Sequence, residues 1–126
     1  MTRDREAAHD CHCGSGQAYT SCCGPVIDGT IPAPTAEALM RSRYSAYAIH
    51  DEQYLLDSWH ESTRPDHIEA DPLVRWIRLK IIDADSCKHS VEFVATFRLN
   101  GKAHKLCEKS RFVFENGRWF YLEAEK

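Results

Sequence analysis

No stretch of this 126-residue chain is apolar over the roughly 18 positions that a membrane-crossing helix needs, so no membrane partner is expected. Basic excess is missing as well. Sixteen Lys and Arg stand against 19 Asp and Glu, a formal net charge of -3, which gives the whole-molecule field no pull on polyanions and makes nucleic acid an unexpected partner. The opening "MTRDREAAHD" has no apolar core of the kind a secretory signal carries, so residues 1–10 are read as a disordered tail and the protein as cytoplasmic. Gly14-Ser15-Gly16 is followed by no Gly-Lys-Ser/Thr, which argues against a phosphate-cradling loop. Ser110 sits in no Gly-x-Ser-x-Gly and is not expected to be a nucleophile. What remains is ordinary globular composition, 43% hydrophobic and 28% charged, at a length that supports one core.

Against this background the cysteines stand out. Of six, four fall within "CHCGSGQAYTSCCG", residues 11 to 24. In a reducing cytoplasm disulfides do not persist, so bound metal explains the crowding better than cross-links, with a disulfide pair or idle thiols as the alternatives. The glycines between the pairs let the backbone turn tightly and aim N–H groups at sulfur. Four thiolates at about 2.3 Å around zinc would make a closed tetrahedral site with no position left for water or substrate, a role in folding and docking rather than catalysis. His12 is a substitute ligand in principle, but with four cysteines present it is read as exposed. Cys87 and Cys107 are read as ordinary thiols.

The paired cysteines, Gly14-Ser15-Gly16, Tyr19 and the terminal Cys22-Cys23-Gly24 resemble the SEC-C motif, a small zinc-binding element named for the C-terminus of the translocase ATPase SecA. The resemblance implies zinc as cofactor with Cys11, Cys13, Cys22 and Cys23 as ligands. Many such motifs carry lysines in the loop. Gln17, Ala18, Thr20 and Ser21 stand here instead, so the anionic partners that a basic face attracts are not expected.

Pro25 is read as ending the zinc element (11–25), and "VIDGTIPAPT" as a linker over 26–34. From Thr35, a plausible N-cap, Leu39, Met40, Tyr44 and Tyr47 recur at helical spacing, which predicts an amphipathic helix with one buried face. Asp51 starts a second, shorter helix through Trp59; residues 66 to 73 are ambiguous, with one further helical turn as an option. After Val74 the period becomes two, with Ile77, Leu79 and Ile81 on one face and Val91, Phe93, Ala95, Phe97 and Leu99 on another. Asn100-Gly101 and Asn116-Gly117 are strong type I′ hairpin signals. Helices first and a meander of about four antiparallel strands afterwards give an α+β domain over 35–126, helices packed on the apolar sheet face.

This order resembles the nuclear transport factor 2-like fold, a curved sheet wrapped around helices as a cone. "PTAEALMRSRYSAYAIHDEQYLLDSWHESTRP", "VEFVATFRLNGKAHKLCEKSRF" and "NGRWFYLE" are similar to the bacterial YchJ family of SEC-C proteins, whose activity is unsettled.

Two functions follow as expectations. The first is a zinc-binding adaptor with the knuckle as docking element and a cone that receives a protein or a small ligand. The second is a small-molecule enzyme of isomerase, dehydratase or hydrolase type, with His60 or Glu108 as the acid–base group because histidine titrates near neutral pH and a buried carboxylate is pushed toward it. Pocket candidates are Arg43, Tyr44, Trp59, His60, Arg64, Arg78 and His104. The expected partner is a protein, with a homodimer through the outer sheet face as the fold-level analogy.

Overall fold

The computed structural model describes residues 10–85 and 89–125; residues 1–9 of the expected tail over 1–10, and Cys87, lie outside the described residues. After a single 3₁₀ turn at Tyr19–Ser21 come three helices, α1 (Cys23–Ile27), α2 (Ala36–Ala48) and α3 (Glu52–Asp57). Four strands follow, β1 (Arg75–Asp85), β2 (Ser90–Leu99), β3 (Lys102–Glu115) and β4 (Arg118–Ala124), in one antiparallel sheet of order β1-β2-β3-β4.

Local chemistry sets these boundaries. Thr35 Oγ1 accepts from Ala38 N at 3.0 Å and Asp51 Oδ1 from Tyr54 N at 3.0 Å, so both helices start at the expected caps, each worth about 1 kcal/mol. α2 stops in a Schellman arrangement: Asp51 N donates to Ala46 O and His50 N to Tyr47 O, with His50 at φ 63°. A side chain in that left-handed conformation is strained, so His50→Gly is expected to stabilise the protein by about 1 kcal/mol in denaturant titration. Both Asn-Gly pairs have positive φ at both residues and close the two expected hairpins.

Three details differ from the sequence reading. Pro25, read as a breaker, lies inside α1 together with Val26 and Ile27 of the expected linker, and its missing N–H is harmless there because first-turn amides have no intrahelical acceptor. Residues 66 to 73 form no helix; Ile68 is buried there against Ala46 and Leu55. In β1, Leu79 is buried as expected, but Ile77 is 41% exposed and Ile82 48%. Each occupies a register shift against β2, between Trp76 and Arg78 and between Ile81 and Asp83. A bulge inserts one unpaired residue and breaks the two-residue alternation, so Trp76 rather than Ile77 packs against the core.

α2 is buried more thoroughly than an amphipathic surface helix. Eight of its 13 residues are buried, including Ser42, Arg43 and Ser45. It packs against β1, β2 and β4 on the sheet side, and against α1 and α3 elsewhere. The larger core cluster of the described residues therefore runs from Cys11, Cys13 and Cys23 through Leu39 and Tyr44 to Val91, Phe93 and Phe112, beside a smaller one of Ala46, Leu55 and Ile68. The cysteine knuckle is one wall of that core.

Candidate metal centre and cavity

The chain reverses between the cysteine pairs, with Cys11 N donating to Gln17 O and with Gly14 and Gly16 at φ 79° and 87°. At Gly14 an added Cβ would also lie 3.2 Å from Leu79 O, so the knuckle loop sits directly on β1. The reversal gathers the sulfurs of Cys11, Cys13, Cys22 and Cys23 within 4.8 Å of one another. Cys13 Sγ lies 3.6 Å from Cys22 Sγ, which lies 4.0 Å from Cys23 Sγ. Four sulfurs at about 2.3 Å from one zinc ion are about 3.8 Å apart, so this set fits a tetrahedral ion.

The surroundings suit thiolates. Ser15 Oγ is 3.2 Å from Cys22 Sγ and Ser45 Oγ 3.5 Å from Cys11 Sγ. Arg41 donates through Nη1 to Cys13 O at 2.8 Å and approaches Cys13 Sγ at 3.8 Å, while its Nε pairs with Glu37 at 2.9 Å. Burial opposes the charge on Arg41, but Glu37 and the Cys13 sulfur outweigh it and the net shift is upward. Hydrogen bonds from Cys13 and Cys23 hold the Cys11 thiol far below its ordinary value, and the bond to Cys11 drives Cys23 far above. Like charge disfavours several thiolates this close together, and a bound cation would offset that repulsion.

Arg41 is the outer partner that sequence reading missed, since nothing in a helical spacing says which distant loop a long side chain reaches. Arg41→Met is expected to weaken zinc binding 10–100-fold in competition with a chromophoric chelator, because second-layer contacts hold ligands in place. His12 is exposed, its ring edge-on to Tyr19 at 6.2 Å.

On the opposite side of α2 a cavity of about 210 Å³ opens between helices and sheet. It gathers Arg43, Tyr44, Trp59 and Glu108 from the sequence candidates, together with Ser110 and Tyr121. Arg43 is 4% exposed. Its Nη1 donates to Leu55 O at 2.8 Å and Ser58 Oγ at 2.6 Å, and its Cζ lies 4.5 Å from the Tyr121 ring centroid and 5.1 Å from that of Trp59. Burial lowers its pKa. Glu108 Oε2 accepts from Ser110 Oγ at 2.6 Å and from Tyr121 Oη at 3.5 Å. Burial, then the Glu108 charge, pushes the Tyr121 phenol up to about 12; burial does the same for Tyr44.

The remaining candidates lie elsewhere. His60 Nε2 meets Glu115 Oε1 at 2.9 Å and its Nδ1 meets Ser62 Oγ at 2.8 Å, and it is not among the residues lining this cavity. Arg64 is exposed and donates through Nε to Trp59 O at 3.0 Å. Arg78 is exposed on β1, and His104 is exposed on β3, stacked on Phe97 at 5.2 Å. Cys107 is exposed. The structure thus separates His60 from Glu108, the two groups to which acid–base chemistry was assigned.

Comparison with known proteins agrees with this architecture. Residues 35–124 match the model described as YchJ, middle NTF2-like domain. A UPF0225 protein of Methylibium petroleiphilum is 46% identical over 127 residues, covering 96% of this chain and 91% of its own. Another from Cupriavidus metallidurans is 45% identical over 124 residues, covering 91% and 87%. Among solved structures, a SEC-C motif containing protein from Rhodopseudomonas palustris superposes with a TM-score of 0.83 at 35% identity, covering 91% of this chain and 96% of that one. A sec-c motif containing protein from Psychrobacter arcticus, 24% identical with a TM-score of 0.75 and coverage of 94% and 83%, shares the fold. With an NTF2-like domain behind a cysteine cluster able to hold a metal ion, and relatives at this level of identity, the chain belongs to the YchJ family of SEC-C motif proteins.

Proposed function

We propose that this protein is a zinc-bearing adaptor of the reducing cytoplasm, in which zinc on Cys11, Cys13, Cys22 and Cys23 fixes the knuckle as a docking element for a protein partner. The observation that carries this reading is the closed donor set. Four sulfurs from one short segment complete a tetrahedral shell, three of the four cysteines are buried, and no coordination position is left for substrate chemistry. The exposed side of the knuckle, with His12 and Gln17 pointing away from the core, supplies the contact surface. No helix among the described residues is long and apolar enough to cross a membrane.

The test is affinity purification from the native cell with wild-type protein and with a His12→Glu/Gln17→Glu variant that keeps its zinc. A protein retained by the wild type and lost from the variant supports the adaptor reading. Identical retention by both contradicts the assignment of this surface.

A further inference from the structure

Arg43 has a feature that the zinc knuckle does not explain. Its guanidinium is almost fully buried, yet no carboxylate among the described residues lies within ion-pair distance of it. Arginine carries five N–H donors. Both hydrogen bonds leave from Nη1 toward the end of α3, and none runs from Nε or Nη2 to another described residue. These atoms are not sealed in the protein either, because among the described residues the one buried side-chain polar atom without a partner is Ser90 Oγ. They therefore open on the cavity that Arg43 lines. A buried cation with no carboxylate in contact is costly to hold, and the more distant Glu108 charge and two aromatic faces offset that only in part.

The unused donors define what fits. Nε–H and one N–H of Nη2 lie parallel on one edge of the guanidinium, the fork that a carboxylate fills with both oxygens. The cavity walls are flat and apolar, supplied by Tyr44, Tyr47, Trp59, Trp76 and Phe93. Its volume of about 210 Å³ equals the share of roughly seven waters, room for a single ring and below the usual drug-sized pocket. Glu108 lines the same cavity more than ion-pair distance from Arg43, with Oε2 taken by Ser110 and Tyr121 and Oε1 making no hydrogen bond to another described residue. It offers an acceptor to a ligand O–H or N–H.

We infer that this cavity binds a small single-ring aromatic carboxylate, its carboxylate clasped by Arg43, its ring between the aromatic walls and a hydroxyl or amino substituent on Glu108. This site is independent of the knuckle's docking role, and neither reading requires the other.

The test is a titration of the zinc-loaded full chain with 4-hydroxybenzoate, followed by tryptophan fluorescence because Trp59 and Trp76 line the cavity. Benzoate and methyl 4-hydroxybenzoate serve as comparison probes. Saturable quenching by the acid is expected, with at least tenfold weaker binding of the ester, which cannot fill the charged fork, and several-fold weaker binding of benzoate, which gives Glu108 no donor. Arg43→Met should abolish the acid's advantage over the ester. Should that variant fail to fold, Leu106→Trp, a change at a half-exposed wall residue distant in sequence from both α2 and α3, decides the matter by occluding the cavity while leaving Arg43 in place. No saturable quenching of the folded wild type up to millimolar acid, equal affinity for acid and ester, or binding unaltered by Leu106→Trp would each overturn the proposal.

Discussion

Replacing Cys13 and Cys23 together by serine is expected to lower the melting temperature of the entire chain by about 15 °C or more, rather than to loosen only its first 25 residues. Two effects combine. The apparent binding free energy of a structural four-sulfur zinc site is about 10–16 kcal/mol, and whatever part of it is coupled to folding disappears with the ligands. In addition, Cys13 is 0% exposed and Cys23 2%, in one continuous core with Leu39, Val91 and Phe93. A domain of this size moves by several degrees per kcal/mol, so even a quarter of the metal's contribution produces the expected shift. Calorimetry of wild type, variant and chelator-treated wild type checks it. If the variant melts within a few degrees of the wild type, the knuckle is an appendage and the shared core carries no stabilising role.

Gly24→Val is expected to weaken zinc binding 10–100-fold and to destabilise the fold by about 2–3 kcal/mol, although residue 24 ligates nothing. A Cβ at this position would stand 2.9 Å from Tyr19 O and 3.0 Å from the Tyr19 ring. The nearer obstacle is backbone, so the clash cannot be relieved by rotating a side chain. Relief requires moving either the 3₁₀ turn or the start of α1, and Cys22 and Cys23 sit at their junction. Displacing them spreads a sulfur set that now lies within 4.8 Å. Zinc competition and urea unfolding of the same preparation read the two effects. Unchanged affinity would mean that the junction yields without disturbing the ligands.

These two variants probe a segment whose chemistry was legible in the sequence because it is local. Two cysteine pairs, the glycines between them and Gly24 all fall within 14 residues, so a local reversal gathers the sulfurs and the resemblance to the SEC-C motif names them as ligands. The helix caps at Thr35 and Asp51 and both Asn-Gly hairpins were legible for the same reason: each depends on residues within one turn. The bulges at Ile77 and Ile82 were not, because a register shift depends on what the neighbouring strand presents. The same limit governs the arginines of α2. Arg41 and Arg43 are two positions apart and so point to nearly opposite sides of a helix. One meets the Cys13 carbonyl and sulfur, the other the far cavity, and nothing in "RSR" says that both sides are occupied. His60 and Glu108 illustrate the converse. Each has suitable chemistry by residue type, and only tertiary packing shows that His60 answers to Glu115 instead.

The measurement that bears most directly on the sulfur-clasped metal is X-ray absorption at the zinc edge, on the 126-residue chain purified without added metal. One zinc per chain with four sulfur scatterers at about 2.3 Å is the expected spectrum. Nitrogen or oxygen in that shell, or zinc well below one equivalent, would contradict it.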